Sequence, residues 1–188
     1  MTIYAKIITL AAVLVALAVG AQAQTPEIDA LRARAEQGDA DAQSILGAMY
    51  ATGTGVPQDD AEAVGWYRRA ADQGNANAQF SLGFMYATGR GVPQDDAEAV
   101  RWYRLAADQG DVNAQQNLGF IYRNGLGVPQ DDVQAHMWFN LAASRLTGEQ
   151  REIAVRGRDS VADRMTPEDR SEAQRLAREW DAAHPREP

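Results

Sequence analysis

No cysteine occurs anywhere in the chain. Disulfide bridging and lipoprotein processing are therefore excluded, and the fold has to be held by its core alone. Lysine is nearly missing too, with Lys6 the only one. Beyond residue 23, 17 arginines face 26 acidic residues, nine negative charges in excess. That balance disfavours nucleic acid and anionic lipid as partners, because both call for a basic patch. Long apolar runs are absent except for Ile7–Gly20. A run of that length falls short of the ~20 residues that span a bilayer, so no stable membrane span is expected. There is no G-x-S-x-G, no H-E-x-x-H and no P-loop. The two histidines, His136 and His184, have no second ligand at a readable spacing. No catalytic residue, cofactor or metal is expected, and a hydrolase reading has no motif behind it.

What is present begins with a processing signal. Lys6, the apolar run and Ala21-Gln22-Ala23 together read as a secretory signal peptide over residues 1–23, cut before Gln24. The expected product is an exported protein, periplasmic or secreted.

The rest is organised by one repeated stretch. Ala97–Gly110 reads AEAVRWYRLAADQG; Ala61–Gly74 reads AEAVGWYRRAADQG; Val133–Leu146 has drifted to VQAHMWFNLAASRL. Trp66, Trp102 and Trp138 stand 36 residues apart, as do Gly47, Gly83, Gly119 and Pro57, Pro93, Pro129. A fixed period in this range marks a stacked repeat array, read here as three repeats over residues 38–145. Gly38–Gln73 and Gly74–Gln109 differ at only eight positions. Residues 24–37 align with the second half of a repeat, with Ala30 in place of the tryptophan, and form an expected N-terminal cap. Residues 146–184 lose the period and are expected to form two capping helices, with a disordered tail over 185–188.

Each repeat divides into two helical patterns. In the second repeat, helix A is expected over about Ala76–Thr88, with Asn75 as N-cap and Gly89 just past its end. Helix B is expected over about Asp96–Gln109. Asp95 with Glu98, Asp59 with Glu62 and Asp131 with Gln134 read as capping boxes, as does Thr147 with Gln150. Thr166-Pro167-Glu168-Asp169 supplies a cap, a proline at N1 and acid in the first turn. The paired aspartates Asp59-Asp60, Asp95-Asp96 and Asp131-Asp132 are read as capping rather than calcium residues, because no ligand loop surrounds them. Gly83 costs about 1 kcal/mol against alanine inside a helix, so its recurrence points to close helix approach.

The pattern A-Q-x-x-L-G-x-M-Y-x-x-G-x-G-V-P-Q-D-x-x-x-A-x-x-W-x-x-x-A-A runs through Ala78–Ala107. It resembles the Sel-one-like repeat (SLR) family, a branch of the tetratricopeptide-like helical repeats. The resemblance covers about Gly38–Ser144. It implies an all-α, right-handed α/α superhelical solenoid of antiparallel helix pairs, and a role in holding other proteins. Some secreted relatives are cysteine-rich and linked to β-lactam binding; the cysteine pairs are missing here, so that activity does not carry over.

Comparing the repeats separates frame from face. On helix A the changing positions are 41, 44, 45 and 48 and their equivalents, spaced as one helical stripe. The constant stripe of Ala42, Leu46 and Tyr50 is expected against helix B. The candidate partner-binding residues are Asn77, Phe80, Ser81, Phe84, Asn113, Gln116, Asn117 and Phe120, on the concave wall. Amides pair with peptide backbone and rings supply apolar area. For Phe84 and Phe120, packing against the neighbouring repeat stands as an equal alternative. Phe80 is expected exposed, because Ser44 and Gln116 occupy its equivalents. The expected function is an exported, non-catalytic scaffold for a protein or peptide partner. A second reading is an accessory of cell-wall or exopolysaccharide assembly that contacts glycan. Sugar binding favours exposed indole rings, and the three tryptophans are expected in the frame.

Overall fold

The computed structural model describes residues 25–185. The expected signal peptide and its cleavage site lie outside the described residues, as does the tail beyond Pro185. Among the described residues there are nine helices and no strand. They are α1 (Pro26–Glu36), α2 (Ala40–Thr52), α3 (Asp60–Asp72), α4 (Ala76–Thr88), α5 (Asp96–Asp108), α6 (Val112–Asn124), α7 (Asp132–Arg145), α8 (Gly148–Ala162) and α9 (Pro167–Ala183). None is long and apolar enough to cross a membrane.

Each repeat is an antiparallel pair: α2 with α3, α4 with α5, α6 with α7. Successive pairs stack through α3 on α4 and α5 on α6. α1 packs on α2 as a preceding helix B, and α8 and α9 both pack on α7. The result is the α/α solenoid that the period implies.

Local chemistry sets the helix boundaries. Asp39, Asn75 and Asp111 each accept a hydrogen bond from a first-turn N–H at the start of α2, α4 and α6. Gly53, Gly89 and Gly125 end those helices at φ near +70°, a conformation glycine takes without strain. Asp59, Asp95 and Asp131 cap α3, α5 and α7 through their side chains. The expected capping boxes are only half made. The N–H of Asp59, Asp95 and Asp131 donates to the carbonyl of Tyr50, Tyr86 and Tyr122 respectively, so helix A already satisfies it. Glu98 turns to Arg101 instead. Thr147 makes no side-chain cap at all, whereas Thr166 accepts from the N–H of Asp169 as expected.

The core lies between the two helix layers as one large apolar cluster flanked by a smaller one at each end. Ala42, Leu46, Ala78, Leu82, Ala114 and Leu118 are fully buried on the first helices. Trp66, Trp102 and Trp138 are buried on the second. The mid-helix glycines have a definite reason. A Cβ at Gly83 would stand 2.9 Å from the Tyr103 ring, and one at Gly47 2.8 Å from Tyr67. Only a bare backbone lets helix B approach this closely. Gly91 and Gly127 do the same for the linkers, which press on the backbone at the start of the preceding helix B.

Candidate functional site

The first helices form the inner layer. Among the repeats, α2 touches α4 across the helix between them, and α6 touches α8 in the same way. The variable stripe lies on this layer, and the structure divides it into three tracks.

The central track is open. Asp41, Asn77 and Asn113 are exposed at the start of successive inner helices. Two turns on, Ala48 and Phe84 are exposed, with Phe84 at 41%, and Phe120 is half-buried. Phe120 meets the Phe139 ring edge-on at 5.0 Å, and the Arg123 guanidinium lies 5.0 Å from its other side. Both ring contacts lie within its own helix pair. Asn75, the cap of α4, donates to Asp41 at 2.8 Å and ties two inner helices together.

The two flanking tracks are covered. Phe80 is not exposed as expected: it is half-buried, with its ring 5.8 Å from that of Tyr103. Gln116, its equivalent, is buried at 6%. On the opposite flank, Ser81 and Asn117 stand beside the phenols of Tyr67 and Tyr103 on the preceding helix B and pull against the effect of their burial. Burial pushes the Tyr103 phenol up to about 12, against the pull of Asn117. The phenol thus stays neutral across the ordinary pH range. Phe80 packs within its own helix pair, Gln116 is buried, and Ser81 and Asn117 face the preceding helix B. Asn77, Asn113, Phe84 and the outer edge of Phe120 remain open to a ligand.

Sequence comparison passed over the polar ties between repeats. Gln43, Gln79 and Gln115 are buried, and their amides donate to the carbonyls of Ala35, Ala71 and Ala107 on the preceding helix. Within each of the first two repeats, Gln73 and Gln109 donate to Gln43 and Gln79 at 2.7 Å. Arg32, Arg68 and Arg104 donate to the hydroxyls of Tyr50, Tyr86 and Tyr122. The signal was present, since these residues recur at the repeat spacing. Their invariance placed them in the frame without showing what they bond.

The aspartate edge carries ion pairs as well as caps. Arg90 pairs with Asp60 and Arg164 with Asp132. The Arg164 guanidinium holds the Asp132 carboxyl below its ordinary range. No group of three or more His, Asp or Glu side chains suited to a metal ion occurs among the described residues.

The Sel1 repeat, as a family, matches residues 40–75, 76–111 and 112–145. No curated protein matches the chain. Solved structures do. The chain is similar to c5321, described as a protective antigen present in uropathogenic Escherichia coli strains and displaying an SLR fold. The TM-score is 0.62 at 29% identity, over 82% of this chain and 40% of that one. It is also similar to a Sel1 repeat protein from Oxalobacter formigenes, with TM-score 0.62 and 38% identity, over 69% of this chain and 98% of that one. The chain thus spans well under half the length of the Escherichia coli protein.

Proposed function

The chain belongs to the Sel1 repeat family, whose members generally act as protein-interaction scaffolds, and from that premise we propose that it is an exported scaffold gripping an extended peptide segment of a partner protein along its inner face. The observation that carries this reading is the open central track. It pairs an amide row, Asn77 and Asn113, with an aromatic row, Phe84 and Phe120, one residue of each kind in the second and third repeats. Carboxamides can both donate to and accept from a peptide backbone, while the rings take apolar side chains. The frame does not require these residues, since Asp41 and Ala48 stand in their places in the first repeat. The scaffold works without catalysis, and export rests on the residue 1–23 signal. A glycan partner in cell-wall assembly fits less well. Trp66, Trp102 and Trp138 are all buried, which leaves no exposed indole platform on the repeats.

The test is a pull-down from periplasmic extract, comparing wild type with N77A/N113A and with F84A. Central-track substitutions are expected to reduce recovery of a specific protein, by more than about 1 kcal/mol where a hot spot is removed. The far-UV helical signal and melting temperature should stay within error. Undiminished recovery by both variants would remove the inner face from consideration.

A further inference from the structure

The outer surface carries a second recess that owes nothing to the inner track. It has a volume of about 440 Å³ and lies between α5 and the linker that follows α6. Leu105, 40% exposed, and the half-buried Val128 supply its apolar surface, the buried Val100 lies beneath, and Arg101 and Arg104 also line it.

The two nearly identical repeats show that this recess is not demanded by the frame. Of their eight differences, two fall on helix B, and both line the recess. Gly65 becomes Arg101, and Arg69 becomes Leu105. An apolar side chain has thus replaced a charged one on a solvent-facing surface, and a charge has been added one turn away. An exposed leucine at a position that also accepts arginine is not a packing requirement.

Arg101 is held in place for use. Its Nε donates to Glu98 at 2.9 Å, and its guanidinium lies 4.4 Å from the Trp102 ring centre. Its two terminal nitrogens make no hydrogen bond among the described residues. Arg104 is steadied by its bond to the Tyr122 hydroxyl. Arg101 is ion-paired with Glu98 through Nε alone, so two arginines beside an apolar recess make a local basic spot on a chain of net charge −8, and that spot favours an acidic ligand. We propose that this recess docks an acidic segment of a partner protein. One aliphatic or aromatic side chain lies against Leu105 and Val128, and a neighbouring carboxylate pairs with Arg101.

The probe is a displayed library of random dodecapeptides, selected on the full mature chain at low salt. Selected peptides are expected to carry Asp or Glu beside Leu, Ile or Phe. Their affinity should fall at least tenfold for R101G/L105R, and should fall again as salt rises. That variant installs the residues of the first repeat, so its helical signal should match wild type. R101Q, a change at an exposed side chain, serves as a second variant and should weaken binding in the same direction. Selection of no peptides, peptides without acidic enrichment, or equal binding by R101Q would overturn the proposal. Binding lost in N77A/N113A instead would place the peptides on the inner face, and would overturn it as well.

Discussion

Phe139 is pinned between two glycines, and the sign of one substitution tests why they are there. A methyl at Gly119 would stand 2.6 Å from the nearest ring carbon, and a methyl at Gly157 would stand 2.7 Å from it on the α8 side. Relaxed carbon contacts sit at about 3.5–4.0 Å, so either methyl overlaps the ring by about 1 Å. Phe139 is wholly buried and cannot swing away from α6 without meeting α8. Two effects oppose each other in Gly119→Ala. Alanine gains about 1 kcal/mol of helix propensity. Overpacking costs about 1–3 kcal/mol, and a ring blocked on both sides belongs in the upper half of that range. The net expectation is a destabilisation of about 1–2 kcal/mol, lowering Tm by about 2–8 °C in a domain of this size. The assay is thermal and urea unfolding followed by circular dichroism. Phe139→Leu should be less damaging in the Gly119→Ala background than in wild type, with a coupling of about 0.5–3 kcal/mol. A rise in Tm for Gly119→Ala would refute the reasoning. It would show that the ring yields and that close approach is not what the glycine provides.

Trp102→Ala should cost about 3–5 kcal/mol, because the indole is 2% exposed in the largest core cluster; an unchanged melting curve would contradict that burial. Phe80→Ser, which installs the first repeat's residue, should cost about 1–3 kcal/mol through lost burial and the lost Tyr103 ring contact. A melting temperature equal to wild type would show that the ring contact contributes nothing. His136 is buried with an unpartnered Nδ1, and its pKa is lowered by burial first, then by Arg158 and Arg170 against the opposing pull of Asp159. The folded state therefore binds fewer protons than the unfolded one. Stability should be full above the unfolded value of 6.5 and decline as pH falls below it, levelling off beneath the folded pKa. His136→Val, the residue of the other two repeats, should flatten that decline below the unfolded value of 6.5; an unaltered pH profile would rule His136 out as its source.

The frame was legible because it is periodic. Leu46, Leu82 and Leu118, and likewise Trp66, Trp102 and Trp138, recur at one spacing, and recurrence reports a shared environment. Helix limits followed from the capping aspartates and the glycine stops, so α4 begins and ends where Asn75 and Gly89 place it. The capping boxes went astray for a tertiary reason. The N–H of Asp95 finds the carbonyl of Tyr86, a partner that no local motif announces. The buried glutamine ties were hidden in the same way, because a hydrogen bond across stacked repeats leaves only invariance behind it.

The variable stripe was partly misread because variation and exposure are different properties. At about 100° per residue, positions 41 and 48 point almost the same way, while 44 and 45 stand roughly 50° to either side. Within each pair helix B covers one flank: the Tyr103 ring meets Phe80, and Gln116 is buried. In the stack the preceding helix B approaches the other flank, where the phenols of Tyr67 and Tyr103 stand beside Ser81 and Asn117. Ile45 shows the same rule by exception. The described chain ahead of α2 supplies only α1, a helix B with Leu31 in the place of Tyr67, so that flank lacks both an inner neighbour and a phenol. Ile45 is accordingly 51% exposed. Variation on the flanks reflects how each inner helix meets the two helices B beside it. Variation at 41, 48 and their equivalents falls on the open track, where only Asp41 takes part in stacking, through its bond from Asn75, and it is there that selection for a partner can act.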